Sequence, residues 1–304
     1  MKALVYDSDT ETWLRFEQPI DVLIAHNYAE VISVLEHVED RSRLGFYCVG
    51  YVSYEAAPAF DATLACNKPG DMPLAAFGVF RSAQSGGLAG KSAFGLDLEP
   101  ELVFEDFARS IGRIKGYLLD GDTYQVNFTH RLKGHCALGV ETIFAQLVSA
   151  QPSPYAAMLN FFNYSICSIS PELFFEKRGD KIRTEPMKGT RPRGRTTAED
   201  NAIEQELRSS EKDRAENLMI VDMIRNDLGR VAEAGSVSVD QLFAIKKLPT
   251  VWQQISNISA KTGAGLVEIF QALFPCASVT GAPRHRTMQI ITELEDSPRG
   301  VYTG

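Results

Sequence analysis

Apolar residues recur along this chain at two spacings. In NYAEVISVLEHV (27–38) they fall three and four apart, which gathers them on one face of a helix. FEDFARSIGRIKGYLLDG (104–121) repeats that period and stops at Gly121, a residue suited to the left-handed backbone of a helix end. The same period predicts helices over 141–150, closed by the Pro152-Ser153-Pro154 turn, and over 266–274 and 285–295. The longest helical signal runs from 198 to 228. Strand-like runs, rich in aromatic and β-branched residues, lie at 20–24, 45–54, 74–80, 124–134, 156–167 and 173–184. The last two flank the tight segment SISPE (168–172), 67–72 reads as a turn, and 83–90 reads as a flexible loop.

Strands and helices alternate without a regular βαβ rhythm, and no internal repeat is visible. The expected class is α+β: a sandwich of large, mostly antiparallel sheets with helices outside. The character of the pattern changes near Glu101, which divides the chain into 1–100 and 101–304.

Composition narrows the function classes. The 304 residues are 44% apolar and 23% charged, enough for a sizeable core. A net charge of -8, with basic residues dispersed, argues against nucleic acid as a main partner, because phosphate binding needs a concentrated basic surface. The N-terminal MKALVYDSDTETW is too acidic for a signal peptide. No stretch reaches the roughly 18 consecutive apolar residues of a membrane span. The five cysteines have no metal spacing and are read as free thiols in a reducing compartment, hence a cytoplasmic location.

Four segments carry candidate chemistry. EPMKGTRPRG (185–194) is read as a loop fixed by two glycines and two prolines. It presents Lys188 beside arginines whose forked guanidinium suits a carboxylate. A lysine near other cations can have a lowered pKa and a reactive amine, and the alternative is a solvated basic turn. In EKDRAENLMIVDMIRNDLGR (211–230), Asp213 and Glu216 are three apart on one helical face, where two carboxylates can hold a hard divalent ion. An ordinary ion-paired helix face is the other reading. Glu172 follows Pro171 at a strand edge, placed either as a general acid or as a surface residue. ASVTGAPRHR (277–286) reads as a helix entry with accessible N–H groups and two arginines, or as a plain cap. The five histidines show no ligand spacing, and His130 is read as a structural strand residue.

Taken together these runs resemble the chorismate-utilising enzymes: anthranilate synthase component I, aminodeoxychorismate synthase component I, isochorismate synthase and salicylate synthase. The runs that carry the resemblance include GDTYQVNFT (121–129), ISPELFFEK (169–177), PMKGTRPRG (186–194), LPTVWQQIS (248–256), LFPCASVTGAPRHRTMQIITELE (273–295) and PRGVYTG (298–304). They cover most of 101–304, and 1–100 resembles the more variable part of the same fold. The resemblance implies an anthranilate-synthase-component-I-like, two-lobed sandwich, and further C-terminal strands beyond Gly304 that carry a second acidic pair. A chain without them is expected to bind its metal weakly or to be inactive alone, acting only as a binding or subunit-interaction module.

By the same resemblance, Glu172 is the general acid/base at C4 of chorismate, and Asp213 and Glu216 form the first magnesium pair. Thr190, Gln253, Gly281, Arg284, Tyr302 and Gly304 contact the substrate, Gln253 standing where several members carry histidine. Lys188 discriminates among branches. Anthranilate synthases generally have alanine there, whereas in the water-using enzymes the lysine activates water at C2. In the aminodeoxychorismate branch it attacks C2 itself. KDRAEN (212–217) and LPTVWQQIS favour that last branch over isochorismate or salicylate synthesis. The implied partners are a glutamine amidotransferase subunit that supplies ammonia and an aminodeoxychorismate lyase domain or protein. The implied product is 4-amino-4-deoxychorismate, for para-aminobenzoate and folate.

Overall fold

The structure is a computed structural model that describes residues 1–88, 90 and 95–302. Gly304 and residue 89 of the 83–90 loop lie outside the described residues. The chain divides into two compact units, one of 1–150, 154–169 and 279–304, the other of 151–153 and 170–278. These units do not follow the division at residue 100, which marks a change of pattern rather than the end of a compact body.

The second unit is built on the strand Val251–Lys261. It pairs antiparallel with Lys181–Glu185 (Ile182 opposite Ala260), with Met187–Pro192 (Thr190 opposite Gln253) and with Ser238–Lys247 (Ile245 opposite Gln254). Leu173–Arg178 completes the sheet against Lys181–Glu185. On the helix Glu211–Gly229, Ile220, Val221, Ile224 and Leu228 recur at three and four residues and bury against Ile182 and Ile258. That stripe fixes the helix's rotation. Asp213, Asn217 and Asp227, in phase with it, are carried to the buried side.

The first unit holds a five-stranded sheet in the order Ser165–Ser170, Tyr155–Asn160, Lys2–Asp7, Thr12–Phe16 and Gln84–Ser85. It also holds a three-stranded sheet in the order Asp21–Ala25, Ala75–Phe80 and Tyr47–Val52. Helix Tyr28–Arg43 starts where Asn27 accepts a hydrogen bond from the Glu30 N–H. Among the described residues every recorded strand pairing is antiparallel, as the α+β class requires.

Several sequence expectations are corrected. The 198–228 signal is two helices, Thr197–Ser209 and Glu211–Gly229, because the Ser210 side chain accepts from the Asp213 N–H and starts a new one. The runs 156–167 and 173–184 each contain two strands, turned back at 161–164 and at Gly179, whose φ is +58°. The run 124–134 keeps only Gln125–Val126 and Leu132–Gly134 as strand, so His130 lies between them, edge-on to Phe107. The segment around Lys188 is not a loop but the strand Met187–Pro192, with a bulge between Met187 and Thr190.

Candidate active site

Six of the residues singled out by sequence lie in the second unit. Glu172 sits between the strands Ser165–Ser170 and Leu173–Arg178. Lys188 sits on the bulge of Met187–Pro192, next to Gly189 at φ +90°. An added Cβ at Gly189 would come within 3.0 Å of the Asp213 Cβ, so glycine lets this strand lie close to the acidic helix.

Ser278 joins Lys188 to Glu172. Lys188 Nζ donates to the Ser278 carbonyl at 2.9 Å. The Ser278 hydroxyl and the Met187 N–H donate to the Glu172 carboxyl. Glu172 Oε1 is shut off from solvent and has no hydrogen-bond partner among the described residues. Burial pushes the Glu172 carboxyl above the usual range, and the Ser278 hydroxyl and the charge of Lys188 draw it only partly back. Burial holds the Lys188 amine below the usual lysine value, opposed by Glu172. Both groups are thus biased toward their neutral forms, an acid with a proton to give and an amine with a free electron pair.

Asp213 and Glu216 share a helix yet meet different surroundings. Arg191 Nη2 donates to Asp213 Oδ2 at 2.9 Å, and Asp213 is buried. Glu216 is partly exposed, with Lys212 Nζ at 3.7 Å. Among the described residues there is no group of three or more His, Cys, Asp or Glu able to hold a metal. Two carboxylates still suit magnesium, which keeps several waters and takes one or two protein oxygens. The arginines of GTRPRG, read as ligands for an external carboxylate, meet the protein's own. Arg191 binds Asp213 and Glu206, and Arg193 binds Asp200 while lying over the Trp252 ring. Their contribution is to fasten the strand to its helices.

Thr190 and Gln253 face each other across the sheet, Gln253 Nε2 donating to Thr190 Oγ1 at 3.3 Å. Gln253 Oε1 is buried without a partner among the described residues. Gly281, Arg284 and Tyr302 belong to the first unit. Gly281, at φ +146°, pairs with Val126, and its missing Cβ would lie 1.9 Å from the Gln125 carbonyl oxygen. Arg284 opens the helix Arg284–Leu294. Its neighbour Arg286 is engaged by Asp122 at 2.9 Å, so that arginine meets a carboxylate of the chain itself. The Tyr302 hydroxyl accepts from Asn127 Nδ2 at 3.1 Å. Sequence reasoning did not single out Ser278, Arg191 as the partner of Asp213, or Glu55 and Arg299. The last two form a buried network; Arg299 lies in the run PRGVYTG, whereas Glu55 is marked in the sequence only as a charge inside apolar surroundings.

Comparison with known proteins gives a consistent family. Aminodeoxychorismate synthase component 1 of Bacillus subtilis is 43% identical over 202 residues, covering 66% of this chain and 43% of that protein. An anthranilate synthase component 1 of Haloarcula marismortui is 41% identical over 208 residues, covering 68% and 42%. The chain therefore spans less than half the length of these curated relatives. Anthranilate synthase component I from Streptococcus pneumoniae superposes with a TM-score of 0.79 at 21% identity, covering 100% of this chain and 77% of that one. The menaquinone-specific isochorismate synthase of Escherichia coli superposes at 0.74 with 17% identity, covering 99% and 74%. These structures share the α+β fold expected from the sequence. Among the described residues no helix is long and apolar enough to cross a membrane. The pattern of the chorismate binding enzymes matches residues 87–304, well over half of the chain, and the chain belongs to that family.

Proposed function

We propose that the protein forms 4-amino-4-deoxychorismate from chorismate and ammonia. The observation that carries this reading is the Glu172–Ser278–Lys188 arrangement, in which burial favours a protonated acid beside a neutral amine. In the proposed sequence the Lys188 amine attacks C2 of chorismate as the ring double bond shifts. Glu172 gives its proton to the departing C4 hydroxyl, which leaves as water. Ammonia then adds at C4, the double bond returns, and Lys188 is expelled with its electron pair. The proton lost by the incoming ammonia restores Glu172. Thr190, Gln253, Gly281, Arg284, Tyr302 and Gly304 are the proposed substrate contacts. Magnesium would be held by Glu216 with Asp213 behind it, and when bound it offsets the charge of a substrate carboxylate.

The ammonia source in this reading is a glutamine amidotransferase partner, and an aminodeoxychorismate lyase would consume the product. A cytoplasmic setting accords with five free cysteines. The test is chromatographic separation of products, with mass detection, after incubation with chorismate, magnesium and ammonia. Aminodeoxychorismate is expected. Anthranilate or isochorismate would overturn the branch, and chorismate binding without turnover would mark a binding module.

A further inference from the structure

Glu55 lies in the part of the chain that the sequence reading leaves without a role, yet it is among the most deeply buried carboxylates, 2% exposed. Among the described residues no basic side chain hydrogen-bonds to it. Its two oxygens are instead spent on successive backbone N–H groups: Oε1 accepts from Arg299 at 2.6 Å and Oε2 from Gly300 at 2.9 Å. Consecutive N–H groups that converge in this way form a concave anion site in the main chain, here filled by the protein's own carboxylate. Gly300 has φ +66°, the left-handed backbone that favours glycine. The neighbouring Tyr54 N–H donates to the Gly300 carbonyl at 2.8 Å, so the turn is gripped from both sides.

What the turn carries gives the grip its meaning. The Arg299 guanidinium is buried and donates to Glu295, to the Val279 carbonyl at 2.7 Å and to the Asn127 carbonyl at 2.6 Å. It thereby ties the turn to the segment leading into Gly281 and to Asn127, whose side chain donates to the Tyr302 hydroxyl. The guanidinium also lies 5.2 Å from the Tyr302 ring. A carboxylate on a distant stretch of sequence thus fixes the backbone two residues before Tyr302.

We infer that Glu55 is a positioning residue: by holding the Arg299–Gly300 turn it sets the place of Tyr302 against the substrate. This rests on the reading of Tyr302 as a chorismate contact. Replacing Glu55 with glutamine keeps the shape and one acceptor oxygen but turns the other into a donor facing an N–H.

The test compares the protein with its Glu55→Gln variant by two readouts. Amide exchange of the 298–302 segment is expected to accelerate about tenfold, with exchange in Tyr28–Arg43 and Ala75–Phe80 unchanged. The Kd for chorismate is expected to rise about tenfold while kcat changes less than about twofold, the mark of lost ground-state positioning. Unchanged exchange at 298–302, or acceleration spread over the whole unit, overturns the inference. So does a loosened segment with unaltered chorismate affinity. If the unmodified protein binds no chorismate, the functional reading fails, and the exchange comparison alone decides whether Glu55 holds the turn. Should Glu55→Gln not fold, Glu55→Asp, which keeps the charge and shortens the reach, makes the same comparison.

Discussion

Lys188 and Glu172 meet through a single serine: the amine donates to the Ser278 carbonyl, and the Ser278 hydroxyl donates to the carboxyl. The carbonyl orients the amine and survives any substitution of the side chain. The hydroxyl is different, because it stabilises the ionised form of Glu172 and so opposes the effect of burial. Ser278→Ala is expected to lower kcat about tenfold, the scale of one lost hydrogen bond at a general acid. It should also move the loss of activity at high pH upward, since Glu172 then holds its proton longer. A pH–rate profile of the variant checks this, and an unmoved alkaline limb would separate Ser278 from the acid.

The two titrations set opposite limbs of that profile. Lys188 must be neutral to attack, so rising pH favours its reacting form, and burial holds its pKa below the usual lysine value. Glu172 must be protonated to release the C4 hydroxyl, so rising pH removes its reacting form, and burial raises the pKa at which it does so. Lys188→Arg should lose activity by about a thousandfold or more, because a guanidinium stays charged and cannot attack. Glu172→Gln should lower the rate and abolish the alkaline limb. Activity retained in Lys188→Arg would exclude attack by this residue.

The fold class and the residues of the candidate site were legible in the sequence, for physical reasons. Helical period is local, so Tyr28–Arg43, Phe104–Leu119 and Leu266–Leu273 fall where the spacing places them. Lys188 and Glu172 stand out because a lysine just before a glycine, in a run of prolines and arginines, and a glutamate after proline are chemically conspicuous. Pairing is not local. Met187–Pro192 reads as a loop because Gly189 and Pro192, with Pro186 and Gly194 on either side, mimic one. It is a strand because Val251–Lys261, some sixty residues on, supplies its hydrogen bonds. Asp213 was legible as a carboxylate on a helix face, whereas its closure by Arg191 depends on that same long-range pairing.

Arg191 therefore offers a test of the acidic pair. Arg191→Met removes the guanidinium while preserving much of its stem, and leaves the buried Asp213 carboxylate without that partner. Stability is expected to drop by roughly 1–3 kcal/mol, as for other buried groups deprived of a charged partner, read from a urea midpoint. Magnesium affinity, measured by calorimetry, should rise, because an oxygen now held by Arg191 becomes available beside Glu216. Unchanged affinity would place the ion away from Asp213.

Gln254 is a core residue with its whole side-chain amide buried. It is fully buried on the helix-covered face of Val251–Lys261, between Trp252 and Ser256 in the strand's alternation. Those two neighbours are satisfied, Trp252 Nε1 donating to Asp200 at 2.8 Å and Ser256 Oγ to Asn217 Oδ1 at 2.6 Å. Neither amide atom of Gln254 has a partner among the described residues. A desolvated amide without hydrogen bonds costs free energy that an apolar side chain of similar volume does not. Gln254→Leu is expected to stabilise the protein by roughly 1–2 kcal/mol, seen as a higher urea midpoint with an unchanged slope. Chorismate turnover should be unaffected, because Gln253, not Gln254, faces Thr190. A destabilised Gln254→Leu would mean that the amide is bonded through buried water, which needs several polar partners around it. Asn217 Nδ2, also buried and without a partner among the described residues, is where that water would be sought.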